Sequence, residues 1–245
     1  MRAQFSVAVS RPVATGCSTI DLLLGGGFDR EAVTQVYGPP AAGKTNLTLS
    51  AAVQVAATGG QALIIDTEGL SIDRLQQIAR GTIERLELDS PVETLLSGIR
   101  IRDVHDFDEQ EQAVRQAGEL APGMDLIVLD SATGHYRLER DDDDEGRALR
   151  SVTRQVTQLL SEARRHEVAV VITNQVFSDP TSESGRVRPL GGHTLSHWSS
   201  AIVRLERFRG GNRRATLEKH RSVAAGESTR FEVAATGIIG ISEEI

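Results

Sequence analysis

The chain has 245 residues, 39% of them hydrophobic, and a formal net charge of -7, which suits one α/β domain or two small ones with a sizeable core. No apolar run approaches bilayer-spanning length, Met1 to Phe5 do not open a signal peptide, and the single Cys17 excludes an internal disulfide. An intracellular, cytoplasmic protein with no membrane partner is expected.

Only Lys44 and Lys219 among the 27 basic residues are lysine, which points to a GC-rich genome or a high-salt cytoplasm. Lysine and arginine are not interchangeable, so each surviving lysine is a candidate for required chemistry.

Thr15 to Gly27 places a helical turn between glycines. Ile20, Leu23 and Leu24 form its apolar face, Thr15 or Ser18 can cap it, and the Gly25–Gly27 triplet closes it. Ala32–Tyr37 reads as a β-branched strand, and Asn46–Val53 can wind as a helix. Between them Gly38, Pro39, Pro40, Ala41, Ala42, Gly43, Lys44 and Thr45 spell G-x-x-x-x-G-K-T. A strand, a Gly-framed loop and a helix start aim backbone N–H groups at one point, which holds phosphates. Lys44 is expected on the β- and γ-phosphates, the Thr45 hydroxyl on Mg²⁺, and Asn46 at the edge of the same nucleotide site.

Gln61–Ile65 is a continuous apolar strand that ends in Asp66-Thr67-Glu68-Gly69 and leads into a helix over 71–80. Acidic residues at the end of a parallel strand face the ligand crevice. Glu68 can polarise a water against a γ-phosphate or serve as a plain loop carboxylate. Residues 95–102 read as a strand and 106–120 as a polar helix with a solvated charged face. Leu126–Leu129 runs into Asp130, the expected Mg²⁺ residue acting through water; in the ATPases that the chain resembles, as set out below, a catalytic carboxylate often stands where Ser131 does, and its absence pushes that task toward Glu68. Asp141–Glu145 is a contiguous acidic block without the alternate spacing of a calcium loop. Residues 149–165 form an amphipathic helix and 168–174 another buried strand. The long Ser-, Pro-, Gly- and Arg-bearing loop 177–190 is functional by its length. His193 and His197 share a helical face without a third metal ligand. The tail reads as antiparallel strands over 201–208, 214–218, 231–234 and 238–241, with Lys219-His220-Arg221 at a hairpin end.

These motifs, in this order from Thr15 to the end, resemble the RecA/RadA recombinase superfamily. The resemblance rests on T-G-C-x-x-I-D-x-L-L-G-G-G, the phosphate loop, D-T-E-G at 66–69, and G-G-x-x-L-x-H at 191–197. The Lys219-His220-Arg221 triplet is similar to that of the archaeal RadB branch. The resemblance implies a RecA-like P-loop NTPase core, an α/β fold whose mostly parallel twisted sheet is flanked by helices and extended by antiparallel C-terminal strands. That core would span 15–245, with 1–14 a short segment in place of an N-terminal helical DNA-binding domain. Phe5-Ser6-Val7-Ala8, though it reads F-x-x-A, is expected to belong to a first strand.

The resemblance also implies roles. Gln175 would sense the γ-phosphate. Arg137 would lie on a first DNA-binding loop, and Phe177, Arg186 and Arg188 on a second. Lys219, His220 and Arg221 would contact DNA, or Lys219 and Arg221 would reach a neighbouring subunit's nucleotide. The implied function is that of a DNA repair and recombination accessory that binds ATP with Mg²⁺ and binds DNA. Weak, DNA-independent ATPase activity and little strand exchange are expected of it. The implied partners are DNA, the RadA recombinase and a Holliday-junction resolvase. A DNA-dependent strand exchanger and a KaiC-like signalling ATPase are the alternatives. The acidic block opposes the first and the arginine-bearing loop opposes the second.

Overall fold

The computed structural model describes residues 11–135, 145–177, 188–189, 192–208 and 211–241. Val13 and Phe28 form an antiparallel bridge, N–H to carbonyl at 2.8 and 2.7 Å, that closes the first segment around helix α1 (Ser18–Leu23). No side chain caps α1. The Thr15 N–H instead donates to the Asp21 carboxylate at 2.7 Å, and Gly26 N–H donates to the Asp21 carbonyl at 2.7 Å. The glycine triplet is required at Gly27. Its φ is 128°, and a Cβ there would meet the Val13 carbonyl oxygen at 2.3 Å.

Strands β1 (Ala32–Tyr37), β2 (Ala62–Asp66), β4 (Leu126–Asp130) and β5 (Ala169–Asn174) are buried along their whole length. Buried on both faces, they pair in parallel, as continuous apolar runs do. The two-residue side-chain period divides them between two cores. Leu126, Val128 and Val171 join one side with α2 (Lys44–Ala57) and α3 (Ile72–Leu86). Ile127, Leu129, Val170 and Ile172 join the other with α5 (Phe107–Leu120) and α6 (Glu145–His166). Alanine at Ile127 or Leu129, both fully buried, would cost about 2–5 kcal/mol through lost transfer and a residual cavity. Ser71 and Asp106 start α3 and α5, accepting from the backbone N–H groups of Arg74 and Glu109 at 3.2 and 2.8 Å.

Two expectations are corrected. The strand expected over 95–102 is a short helix α4 (Val92–Leu96) followed by β3 (Ile99–Asp103). Leu95 turns into the core, and Gly98 passes close to Ala56 and the Gly60 carbonyl before the strand begins. The tail strands are likewise not all antiparallel. β8 (Ala201–Arg207) pairs in parallel with β1 and antiparallel with β9 (Asn212–Lys219). From β9 the chain continues antiparallel through β10 (Ser228–Ala234) and β11 (Gly237–Ile241). The nine-stranded sheet runs β11-β10-β9-β8-β1-β5-β4-β2-β3, with β8 as its switch from parallel to antiparallel. A two-residue ribbon, β6 (Val176–Phe177) with β7 (Arg188–Pro189), and α7 (Gly192–Trp198) connect β5 to β8.

Candidate nucleotide site

All the parallel strands point their C-terminal ends at one pole, and the residues expected to bind nucleotide meet there. The phosphate loop leaves β1 at Gly38, where a Cβ would meet the Leu205 carbonyl oxygen at 2.3 Å, so glycine is required. It enters α2 through Gly43 at φ 106°, and no side chain caps that helix. The first-turn N–H groups of α2 are therefore free of a side-chain acceptor, the arrangement that binds anions. Lys44 is 7% exposed, and its ammonium donates to the carbonyls of Gly38 at 3.0 Å and Pro39 at 3.3 Å. Burial lowers its pKa, and the carboxylates of Glu68 and Asp130 oppose that shift.

Asp130 ends β4 fully enclosed. Burial pushes its carboxyl up to about 6, against hydrogen bonds from the Thr173 and Thr45 hydroxyls. A buried carboxylate held that high is undercompensated for positive charge, which a cation beside the Thr45 hydroxyl would supply. An anion over the loop and a cation between Thr45 and Asp130 relieve both imbalances, so these residues fit a magnesium-bound polyphosphate.

Glu68 stands on a loop wound around Asp66. The Asp66 carboxylate accepts from the N–H groups of Glu68 at 3.0 Å, Gly69 at 3.1 Å and Leu70. The Glu68 Oε1 accepts from the Ser131 hydroxyl and from the Gln175 amide, each at 2.8 Å. Ser131 follows β4 and Gln175 follows β5. Thr67 braces the same corner: its hydroxyl donates to the Ser131 carbonyl at 3.1 Å and accepts from the Ser131 N–H at 2.8 Å.

Three contributors had not been singled out from sequence. Thr173 is a polar residue at the end of a buried strand, a legible signal. Arg74 clamps the start of α2 to the β10–β11 turn. It donates to the Asn46 side chain at 2.7 Å and to the carbonyls of Ala235 and Ala234 at 2.8 and 2.6 Å. Arg213 lies at the loop's rim, its Nη2 3.4 Å from the Ala41 carbonyl oxygen. In a chain that is arginine-rich throughout, neither arginine stands out.

The remaining candidates are elsewhere. Arg137, Arg186 and the acidic run 141–144 lie outside the described residues, as does Phe5–Ala8. Phe177 and Arg188 are paired across the β6–β7 ribbon. Lys219-His220-Arg221 lies toward the other pole: Lys219 pairs with Ile202, two residues before Arg204, which pairs with Tyr37 ahead of the phosphate loop, and Arg221 bonds Asp29 and the Arg30 carbonyl just ahead of β1. The Lys219 ammonium donates to the Ser196 carbonyl in the last turn of α7 at 2.8 Å. His220, with its side chain 2% exposed, accepts from the Ser222 and Val223 N–H groups at 3.1 Å each. Its ring cannot meet a phosphate without leaving that pocket. Arg221 donates to the Asp29 carboxylate at 2.8 Å and keeps a half-exposed side chain. Among the described residues no helix is long and apolar enough to cross a membrane, and no group of three or more His, Cys, Asp or Glu is placed to hold a metal.

A helix-flanked sheet, parallel strands ending in carboxylates and a Gly-framed loop feeding a helix define a RecA-like P-loop core. The Rad51 family model matches residues 8–241. The DNA repair and recombination protein RadB of Halobacterium salinarum is 54% identical over 94% of this chain and 95% of its own length. The RadB protein of Methanococcoides burtonii is 40% identical over 94% and 98%. A crystal structure of the RadB recombinase superposes with a TM-score of 0.78 at 33% identity, covering 94% of this chain and 100% of that one. The chain belongs to the Rad51 family and, within it, to the RadB group of DNA repair and recombination proteins.

Proposed function

We propose that this protein is a cytoplasmic recombination accessory that binds ATP and DNA, uses ATP chiefly as a conformational ligand, and hydrolyses it weakly. One observation carries the reading: the Glu68 carboxylate accepts hydrogen bonds from Ser131 and Gln175, the residues that follow β4 and β5. Those strands lead into the two loops expected to touch DNA, the first opened by 131–137 and the second over 177–190. A change in what Glu68 bonds is therefore felt by both at once.

ATP supplies a terminal phosphate charge, and Mg²⁺ neutralises part of it. Lys44, the α2 amides and the loop 38–43 would hold the phosphates. Thr45 and Asp130 would hold the metal ion, Asp130 through water. Glu68 would orient a water, and Gln175 would exchange its bond to Glu68 for one to the terminal phosphate. Arg186 and Arg188 would meet DNA phosphate and Phe177 would stack on a base. RadA and a Holliday-junction resolvase are the proposed protein partners, by family.

The test is single-stranded DNA binding with and without Mg²⁺–ATP, at low and molar salt, alongside ATP turnover. The reading expects ATP-responsive DNA affinity and slow turnover unchanged by DNA. Turnover strongly accelerated by DNA would show a motor or strand exchanger, and no DNA binding in any condition would show a signalling ATPase.

A further inference from the structure

The β8–β9 hairpin holds an electrostatic cost that the fold itself does not explain. Arg207 and Arg213 are direct cross-strand partners, and like charges directly opposite one another destabilise a sheet. The same hairpin shows how an arginine there is neutralised: Arg204 pairs with Glu206 and Glu218, each at 2.8 Å. Among the described residues neither Arg207 nor Arg213 has a carboxylate partner.

Arg213 is also turned inward, toward the phosphate loop. Its Cδ lies 3.4 Å from where a Gly43 Cβ would stand, and Phe231 and Val233 wall the same space at 3.3 and 3.4 Å. Among the described residues its guanidinium is held only by carbonyls, Gly211 at 2.6 Å and Ala41 at 3.4 Å, and its Nε is buried without a partner. Burial and the neighbouring Arg207 both lower its pKa, the signature of a cation short of negative charge. A guanidinium with an unused donor, beside a second one and against a phosphate-binding loop, matches an anion.

We propose that Arg213 is a further nucleotide-binding residue, contacting the phosphates of ATP or ADP from the β9 side of the loop. The inference rests on the nucleotide site proposed above and extends it to an element 168 to 175 residues beyond the loop in sequence. The Ala41 carbonyl holds the guanidinium within reach, as the Gly38 and Pro39 carbonyls hold the Lys44 ammonium. Binding exchanges a weak 3.4 Å contact for a charge-assisted one.

The experiment is calorimetric titration of the full chain with Mg²⁺–ATP and Mg²⁺–ADP for wild type, Arg213→Gln, Arg213→Lys and Lys44→Ala, with single-stranded DNA affinity measured on each. Arg213→Gln should weaken both nucleotides about tenfold without lowering the ligand-free melting temperature, since it removes one of two repelling charges. Arg213→Lys should recover part of that loss, keeping the charge without the fork. ATP affinity within twofold of wild type in Arg213→Gln overturns the assignment. Loss of DNA affinity with ATP affinity intact does so too, and gives the residue to nucleic-acid phosphate. ATP binding that survives Lys44→Ala would instead sink the nucleotide site itself, and this contact with it.

Discussion

Two lysines survive in an arginine-rich chain, and the structure puts them toward opposite poles of one sheet with opposite kinds of work. Lys44 is buried at the C-terminal ends of the parallel strands, bonded to the loop's own carbonyls with Glu68 and Asp130 nearby. Lys219 caps the last turn of α7 through the Ser196 carbonyl, at the end where β8 begins. A cation at a helix C-terminus satisfies an orphan carbonyl and complements the dipole. The first lysine is proposed to meet a phosphate; the second finishes a fold. Residue scarcity flags both and cannot tell them apart, because the distinction lies in what surrounds each ammonium.

The largest expected effect is at the first pole. Lys44→Ala should weaken ATP about a hundredfold, the loss of charge-assisted hydrogen bonds to phosphate, with little change in ligand-free stability because it removes a desolvated cation. Titration together with thermal melting checks this, and a large destabilisation with intact ATP affinity would break the contrast between the lysines.

Asp130 is next. Its folded-state carboxyl is raised from 3.8 to about 6, so the ligand-free fold binds the proton more tightly than the unfolded chain does. Stability is therefore lost as pH rises from about 4 to about 6, by up to about 3 kcal/mol at 1.36 kcal/mol per pK unit. Asp130→Asn should make the ligand-free protein more stable than wild type at neutral pH and equal to it below about pH 4, while abolishing the Mg²⁺ dependence of nucleotide binding. In wild type that dependence should fade as pH drops below about 6, when the carboxyl protonates. Melting curves across pH, with and without Mg²⁺, read both effects.

The smallest expected effect is at the second pole. Lys219→Met keeps the aliphatic stem and removes the hydrogen bond to Ser196, which should cost about 1–3 kcal/mol of stability and leave ATP affinity unchanged. Unchanged melting with weakened DNA binding would return Lys219 to the DNA surface. Unchanged melting with weakened ATP turnover that depends on protein concentration would make it a finger for a neighbour's nucleotide.

What the sequence made legible follows the same division. β1, β2, β4 and β5 could be read because strands buried on both faces are unbroken apolar runs, and the shared position of Glu68, Asp130 and Gln175 because strand ends in such a sheet face one crevice. The double pairing of β8 could not: alternation tells which face a residue takes, not which neighbour a strand meets or in what direction. α4 was hidden because its short Leu-bearing turn has the hydrophobicity of a strand and only Gly98 separates it from β3. Arg74 and Arg213 reach the site from elements distant in sequence, and only tertiary packing selects them from the other arginines.

The proposed function turns on coupling between the two residues that hold Glu68 and the loops beyond them. Single-stranded DNA affinity with and without Mg²⁺–ATP, compared between wild type and Gln175→Ala, tests it most directly. ATP should change DNA affinity in wild type, whereas Gln175→Ala should bind ATP as tightly yet show the same DNA affinity in both conditions. An equal response to ATP in the two proteins would contradict it.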